Sequence, residues 1–270
     1  MTKRTTPKRT RKTQEELNKY KDKRIFIAIP STDMVHADFA MALAALANHS
    51  TAVNLPIAIN NTKGADIART RNAQVYQAQK MKATHILFID SDMVFKPFAA
   101  QRLLDQMMNL EESIIGTTVP KRIFPYLQVN KDLEGNRLKI NPNDERNLVE
   151  CKELGTGMVM IDMKIFDEIP FPWFDAYYRK DEKGNPDIEQ AVSEDLSFFF
   201  KAKELGYKPM CDIPLSMDTQ HIGQVRFDYT SEDFFADAIE LRRQKGEELL
   251  NKHLKESIED KKARKASEVI

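Results

Sequence analysis

The sequence predicts an α/β fold in which a mainly parallel sheet is flanked by helices. Short apolar runs alternate with segments of helical spacing through the first half of the chain, as strand–helix–strand units do. Residues 84–89 (THILFI) are nearly all apolar, which is typical of a strand buried on both faces of a parallel sheet. Over 270 residues, a hydrophobic fraction of 41% is sufficient for one large core.

The first half of the chain supplies three predicted strands and three predicted helices. In chain order they are strand 24–30, helix 38–48, strand 52–60, helix 67–81, strand 84–89 and helix 97–109. Pro56 favours an edge position for the second strand, because proline cannot donate a hydrogen bond to a neighbouring strand. Asp66 is the expected N-cap of the second helix.

The second half of the chain is less regular. Predicted strands cover 113–117, 149–154, 158–162 and 208–213, and a predicted helix covers 193–205. Gly206 is expected to close that helix, since glycine readily adopts the left-handed conformation of a helix end. Two polar stretches, 131–147 and 179–190, show no specific pattern; we expect a loop or hairpin in the first.

Charge divides the chain into three expected parts, although the formal net charge is zero. Residues 1–24 carry ten Lys or Arg and three acids. We expect a basic disordered arm at 1–23, an α/β domain at 24–229 and a charged helical extension at 230–270. The arm is either a solubilising tail or a segment that binds polyanions, and the extension is a candidate surface for homo-oligomers.

Several classes of protein are excluded because the sequence lacks their motifs. Cys151 and Cys211 form no C-x-x-C pair, so the sequence has no zinc knuckle or redox motif. Two thiols in a chain of this length suit a reducing compartment. The charged N-terminus lacks the apolar run of a secretory signal, and no apolar stretch is long enough for a membrane span. We therefore expect a soluble cytoplasmic protein.

The strongest chemical signal is Asp90-Ser91-Asp92, which follows the predicted strand 84–89 directly. In open α/β sheets, ligands bind beyond the carboxyl ends of the strands. Two carboxylates at such an end can bind a divalent cation and a ribose hydroxyl, and hard oxygen ligands suit Mg²⁺ or Mn²⁺. Such an ion neutralises the charge of a leaving diphosphate. An isolated D-x-D triplet is a weak signal, and its position after this strand gives it weight.

Six segments in order resemble glycosyltransferases of the GT-A fold, in particular the family 2-like nucleotide-diphospho-sugar transferases. The resemblance covers roughly residues 24–227. The segments are RIFIAIPS, ADIARTRNAQVYQAQ, THILFIDSDMVF, ELGTGMVMIDMKIFDEI, SEDLSFFFKAKELGYKP and DTQHIG. The resemblance implies a GT-A, Rossmann-like fold and the transfer of a sugar from a nucleotide-diphosphate sugar, with a UDP-linked donor favoured.

The resemblance also implies a metal site for Mn²⁺ or Mg²⁺. Asp92 would bind the ion, Asp90 would contact the ribose or reach the ion through water, and His221 would be a third ligand. A neutral imidazole suits Mn²⁺ well. Asp195, with Glu194 beside it, would be the general base of an inverting transfer, taking the proton of the acceptor hydroxyl. Acidic residues also favour the first turn of a helix, and the two interpretations are compatible.

The same resemblance implies a set of donor-binding residues. They are Pro30, Ser31, Thr32, Arg69, Arg71, Asn72, Asp90, Ser91, Gly157 and Trp173. The first three would line the base and ribose pocket. One of the two arginines would reach the uracil or the diphosphate, since guanidinium binds phosphate in a bidentate manner, and the family pattern slightly favours Arg69. Gly157 would let the backbone approach the sugar, and Trp173 would stack on a ring.

Two alternative functions stay open at this point. A nucleotidyltransferase that makes sugar nucleotides would need a Gly-rich, basic loop after the first strand, and residues 31–34 (STDM) do not provide one. A nucleic-acid-binding protein could use the basic arm without catalysis. The arm could also hold a polyanionic acceptor, such as modified DNA, near the sugar site. The sequence leaves open the sugar, the nucleotide, the acceptor, the stereochemistry, the oligomeric state and whether the arm is functional.

Overall fold

A computed structural model describes residues 18–122, 128–140, 143–181, 183–223, 240 and 244–245 of the chain. The chain divides into two compact units, Met1–Ile222 and Gly223–Ile270. The first unit carries the fold described below. Most of the expected basic arm and nearly all of the expected helical extension lie outside the described residues.

The first unit is built on a central sheet of seven strands in the order β2-β1-β3-β7-β5-β10-β6. The strands are β1 (Ile25–Ser31), β2 (Ile57–Lys63), β3 (His85–Ile89), β4 (Met93–Val94), β5 (Ile114–Gly116), β6 (Leu148–Glu150), β7 (Met158–Asp162), β8 (Tyr177–Lys180), β9 (Pro186–Val192), β10 (Met210–Asp212) and β11 (Gln220–His221). Five of the seven central strands run in one direction, and β7 and β6 run against them. The predicted α/β class with a mainly parallel sheet is confirmed.

Six helices are described in the first unit. They are α1 (Ala37–Ala52), α2 (Ile67–Lys80), α3 (Ala99–Leu110), α4 (Ile165–Glu168), α5 (Glu194–Glu204) and α6 (Ile213–Met217). Asp66 accepts a hydrogen bond from the backbone N–H of Arg69 at 3.0 Å, which confirms it as the N-cap of α2. Gly206 follows α5 with a φ of 89°, as expected of the glycine that closes a helix.

Both faces of the sheet are covered, because neighbouring side chains on a strand point to opposite faces. Along β1, Phe26 packs in a cluster with side chains of α2 and α5, whereas Ile27 packs with side chains of α1 and α3. The same alternation holds along β3 and β7. Burial on both faces explains why the segment THILFI is almost wholly apolar.

Three features differ from the sequence-based expectations. Strand β7 is antiparallel to both of its neighbours. Two small antiparallel sheets, β4 with β11 and β8 with β9, are additional to the central sheet. Tyr20, inside the segment expected to be a disordered arm, is only 2% exposed, and its hydroxyl donates to Asp105 at 2.7 Å. A buried aromatic ring with a polar anchor belongs to the folded unit.

Two hairpin turns share the pattern Asp-x-x-Gly-Asn, at residues 132–136 and 181–185. In each turn the Asp carboxylate accepts a hydrogen bond from the backbone N–H of the Asn four residues later. The distance is 2.7 Å in the first turn and 2.8 Å in the second. Gly135 and Gly184 have φ values of 90° and 82°, in the left-handed region that favours glycine. The second turn joins β8 to β9 within the stretch that had no recognised pattern.

None of the helices within the described residues has both the length and the apolar character required to cross a bilayer.

Candidate active site

A cavity of about 470 Å³ lies where several strands of the sheet end. It is lined by residues 30–32 at the end of β1, 64–65 after β2, 90–92 after β3 and Thr117 after β5. The loop 155–157, which leads into the antiparallel strand β7, closes one side. Because parallel strands bring their carboxyl ends to one edge, segments far apart in sequence converge here.

Arg71 forms one wall of this cavity, although it is only 3% exposed. Its guanidinium donates from Nη2 to Asp90 Oδ1 at 3.0 Å and from Nη1 to the Thr156 hydroxyl. Its Nε makes no hydrogen bond and faces Glu194 Oε1 at 3.7 Å, an ion-pair distance. The guanidinium carbon also lies 5.7 Å from the centre of the Phe88 ring. Arg71 therefore joins α2, the end of β3, the 155–157 loop and the start of α5.

Asp92, His221 and Arg122 form a second wall of the cavity. Strand β11 pairs with β4, and this pairing places His221 beside the Asp90–Asp92 turn. Asp92 Oδ2 lies 3.4 Å from His221 Nε2 and 3.1 Å from Nη1 of Arg122. His221 Nδ1 is 3.1 Å from the carbonyl oxygen of Pro120. A proton on Nδ1 would be donated to that carbonyl, and a proton on Nε2 would be donated to Asp92. A metal bound at Nε2 would take the place of the second proton.

The two carboxylates of the Asp90–Asp92 turn have pKa values that shift in opposite directions. Burial raises the pKa of Asp90 and outweighs the lowering effect of Arg71, while the nearby charge of Asp92 adds to the rise. Burial acts in the same sense on Asp92, but the hydrogen bond and charge of His221 and the charge of Arg122 lower its pKa overall. The hydrogen bond with Asp92 in turn raises the pKa of His221. The two neighbouring carboxyl groups therefore differ in how readily they are protonated.

Glu194 and Asp195 open helix α5 at the cavity. Burial raises the pKa of Glu194, and the charge of Arg71 opposes this rise. Asp195 Oδ1 accepts hydrogen bonds from the Ser193 hydroxyl and from the Leu196 amide, the latter at 2.8 Å. Both bonds reach the same oxygen, so Oδ2 is the atom of Asp195 that is better placed to accept a proton from a ligand.

Most of the residues expected from the sequence line this cavity. They are Pro30, Ser31, Thr32, Arg71, Asp90, Ser91, Asp92, Gly157, Glu194, Asp195 and His221. At Gly157, an added Cβ would lie 3.8 Å from Asp90 Oδ2. This is an ordinary van der Waals distance, so an approach of the backbone to a sugar at Gly157 stays a prediction.

Three expected donor-binding residues lie elsewhere. Arg69 is exposed on α2 and does not line the cavity, because successive helical positions point about 100° apart and Arg71 takes the inward position. Asn72 bonds through both amide atoms to the backbone of Phe174, at 2.7 Å and 3.1 Å. Trp173 is 9% exposed, and its indole N–H donates to the carbonyl of Phe166 at 2.9 Å. The last two residues stabilise the core and are not placed to contact a ligand in this cavity.

Several cavity residues were not predicted. Arg122, Thr117 and Asn130 come from segments that carry no motif, and Thr156 lies in the segment ELGTGMVMIDMKIFDEI without a predicted role of its own. Asn130 is 1% exposed and accepts from the Gly155 amide at 3.1 Å, which fixes the loop beside Arg71. A basic residue a few positions after a predicted strand end is a usable signal for Arg122. Asn130 offers no comparable signal, because its role depends on a long-range contact.

Carboxylates outnumber guanidinium groups in the cavity lining. Four carboxylates face two guanidinium groups, so an excess of two negative charges remains when His221 is neutral. Buried or half-buried charge of this kind is normally paired or bound to a metal. No group of three His, Cys, Asp or Glu side chains in the described part of the chain converges into a ready metal cage. Asp90 accepts a hydrogen bond from Arg71. Asp92 and His221 are the two side chains that could serve as ligands of a metal ion.

The structure is that of an α/β protein with a carboxylate-rich cavity at the edge of its sheet. No protein-family model matches the chain, and no curated protein matches it. Among solved structures, the chain is similar to the crystal structure of A197 from STIV. The two are 16% identical with a TM-score of 0.49, and the match covers 77% of this chain and 98% of that one. A likeness of this size leaves the function to be argued from the cavity itself.

Proposed function

We propose that the protein is a metal-dependent glycosyltransferase of the GT-A type, which moves a sugar from a nucleotide-diphosphate sugar to a hydroxyl acceptor. The observation that carries the proposal is the single cavity that Asp90, Asp92, Glu194, Asp195 and His221 share at the carboxyl edge of the sheet. The motifs that resemble the family, far apart in sequence, thus meet at one point in space. Uridine diphosphate sugars are the favoured donors.

Asp92 and His221 would hold Mn²⁺ or Mg²⁺, with Asp90 contacting the ribose or a water ligand of the ion. Ions of this class are commonly bound by one or two protein groups together with water and substrate phosphates. The bound ion would supply charge neutralisation of the leaving diphosphate. Arg122, whose side chain is 52% exposed at the cavity, is placed to donate to phosphate oxygens in the same region.

Asp195 would act as the general base toward the acceptor hydroxyl, which makes an inverting transfer the favoured stereochemistry. Its Oδ1 is held by two hydrogen bonds from its own helix start, and a helix start is a rigid mount for such a group. Glu194 is paired with Arg71, so its carboxylate is less available for proton transfer. Arg71 itself is a positioning residue that fixes Asp90 and Glu194 relative to each other.

A donor screen tests this proposal. The purified full chain is incubated with UDP-glucose, UDP-galactose, UDP-N-acetylglucosamine or GDP-mannose, each with Mn²⁺, with Mg²⁺ and with EDTA. We expect one donor to raise Tm by several degrees only with metal, because ligand binding at about 100 times Kd adds about 2.7 kcal/mol of stability. The same donor should release nucleotide diphosphate.

The Asp92→Asn variant should lose the metal-dependent shift, and Asp167→Asn is its matched control because Asp167 is exposed and does not line the cavity. Absence of binding and of diphosphate release with every donor contradicts the proposal. Release of pyrophosphate from a nucleoside triphosphate and a sugar phosphate would instead indicate nucleotidyl transfer.

A further inference from the structure

Asn130 is a buried polar residue of the cavity lining that has no part in the chemistry proposed so far. Its side chain is neutral, so it differs from the carboxylates around it and does not pair with a cation or take up a proton. A buried amide is normally satisfied by hydrogen bonds, because an unpaired polar group in the interior costs free energy. The bonds that Asn130 makes are therefore the guide to its role.

The side chain of Asn130 joins two segments at the edge of the sheet. Its Oδ1 accepts a hydrogen bond from the backbone N–H of Gly155 at 3.1 Å, and its Nδ2 donates to the carbonyl oxygen of Thr117 at 3.4 Å. Thr117 follows β5 and Gly155 precedes β7, and these two strands are neighbours in the central sheet. One amide group therefore ties the 155–157 loop to the end of β5.

The 155–157 loop in turn holds two residues of the proposed donor site. The hydroxyl of Thr156 accepts a hydrogen bond from Arg71. The carbonyl oxygen of Gly157 accepts a hydrogen bond from the backbone N–H of Asp90 at 2.9 Å. Together with the bond from Asn130, these contacts set the position of Asp90 relative to the loop.

The loop has little stiffness of its own. Two of its three residues are glycines, and glycine loses more conformational freedom on folding than any other residue. An added Cβ at Gly155 would lie 3.1 Å from a methyl carbon of Val129, so the segment that carries Asn130 packs closely against the loop. Contacts from that segment, and not the local sequence, are therefore expected to fix the loop.

We propose that Asn130 is a positioning residue for the nucleotide-sugar donor. Through the 155–157 loop it holds Asp90 where that carboxylate contacts the ribose, and it holds the Thr156 hydroxyl against Arg71. This inference rests on the proposed function for the identity of the ligand. Asn130 acts through the loop and does not touch the reacting atoms.

The proposed metal ligands have separate supports. The pairing of β4 with β11 places His221 beside Asp92, and the carbonyl oxygen of Asp92 accepts a hydrogen bond from the Ile222 N–H at 2.8 Å. Neither contact involves the 155–157 loop. Loss of Asn130 should therefore weaken nucleotide binding and leave the affinity for the bare ion unchanged, a split that general destabilisation would not produce.

Hydrogen exchange tests the positioning directly and requires no ligand. Exchange of the Gly155 amide is measured by NMR in the wild type, in Asn130→Ala and in the matched control Asn72→Ala. Asn72 also accepts from one backbone N–H and donates to one backbone carbonyl, both in Phe174, and it does not line the cavity. We expect the Gly155 amide to be protected in the wild type and in Asn72→Ala, and to exchange about tenfold faster in Asn130→Ala, since that variant removes its acceptor.

Calorimetric titration then measures the consequence for the site. The probes are Mn²⁺ alone and UDP in the presence of Mn²⁺. We expect Asn130→Ala to bind UDP about tenfold more weakly, the lower end of what losing a supporting residue costs, with Mn²⁺ affinity unchanged. Asn72→Ala should leave both affinities unchanged, although it removes the same kind of bonds.

Three results would overturn the inference. The first is free exchange of the Gly155 amide in the wild type, which needs no variant to be observed. The second is an equal loss of UDP affinity in Asn130→Ala and Asn72→Ala. The third is faster Gly155 exchange in Asn130→Ala with UDP affinity unchanged. If Asn130→Ala does not fold, Asn130→Ser replaces it in the same comparison.

The outcome is separable from that of the donor screen. Diphosphate release by a wild type whose Gly155 amide exchanges freely would support the proposed function and reject this inference. Protection of Gly155 by Asn130, with no UDP or donor bound by the wild type, would reject the proposed function and keep Asn130 as the residue that positions Asp90.

Discussion

The two walls of the cavity differ in how their polar groups are satisfied. On the closed wall, Arg71 is buried, donates hydrogen bonds to Asp90 and Thr156, and forms an ion pair with Glu194. On the open wall, the Arg122 side chain is half exposed. Asp92 Oδ2 and His221 Nε2 lie 3.4 Å apart. Groups satisfied by the protein set geometry, whereas groups with remaining capacity are available to a ligand. The closed wall is therefore expected to govern stability, and the open wall to govern binding.

The largest expected effect is on the closed wall. Arg71→Met removes a buried cation and leaves Asp90 and Glu194 without their partner, which costs about 3–5 kcal/mol for a buried pair. At about 2–4 °C per kcal/mol for a domain of this size, Tm should fall by roughly 10 °C. Thermal unfolding of the variant measures this.

Arg69→Met is the matched control for that variant. Arg69 lies on the same helix, is exposed and makes only a backbone contact with Asp66. Its substitution should change the free energy of unfolding by less than about 0.5 kcal/mol. Similar Tm values for both variants would show that the closed wall has no special structural role.

The next effect is on the open wall and should appear in metal affinity. Asp92→Asn removes the charged ligand while keeping its size, so Mn²⁺ affinity should fall about a hundredfold, since a contact with a charged group contributes up to about 3 kcal/mol. Asp92→Asn weakens only a partly exposed ion pair with Arg122 and the contact with His221. The free energy of unfolding should therefore stay within about 1 kcal/mol of the wild type. Calorimetric titration with Mn²⁺ and thermal unfolding measure the two quantities separately.

A loss of stability comparable to that of Arg71→Met, with Mn²⁺ affinity unchanged, would contradict the division into two walls. Asp167→Asn serves again as the control carboxylate outside the cavity.

His221→Gln should have a smaller effect on the same wall. The imidazole is a neutral ligand, and the amide retains a weaker oxygen donor, so Mn²⁺ affinity should fall about tenfold to a hundredfold. The control is His36→Gln, at the N-cap of α1 and away from the cavity. Unchanged Mn²⁺ affinity in His221→Gln would remove His221 from the proposed ligand set.

Local patterns were sufficient to predict the strands and helices of the first half. THILFI is apolar from Ile86 to Ile89 because the two faces of this strand pack against different pairs of helices. Asp66 caps α2 through a hydrogen bond to a residue only three positions later. The antiparallel direction of β7 could not be predicted in this way, because direction depends on a connection between distant segments. The β8–β9 hairpin carried a local signal, the Asp-x-x-Gly-Asn turn, that was not recognised.

The candidate site was predictable where its residues end a strand or begin a helix. Asp90, Asp92 and Asp195 hold such positions, and all three line the cavity. The choice between Arg69 and Arg71 was not predictable from the family pattern, because it depends on which helix face meets the sheet. Trp173 was misplaced for a similar reason, since its indole N–H already has a carbonyl partner in the core.

The smallest expected effect concerns Arg122 and sharpens the comparison within the open wall. Arg122→Gln should weaken binding of a nucleoside diphosphate about tenfold, since one charge-assisted hydrogen bond contributes about 1.5 kcal/mol or more. Removing the cation also relieves competition for Asp92, so Mn²⁺ affinity in the absence of nucleotide should stay the same or rise slightly. Lys96→Gln is the control, because Lys96 forms an exposed ion pair with Asp218 outside the cavity. Weaker binding of both Mn²⁺ and nucleotide would mean that Arg122 only supports the local fold, whereas opposite changes would mark it as a ligand-facing group of the open wall.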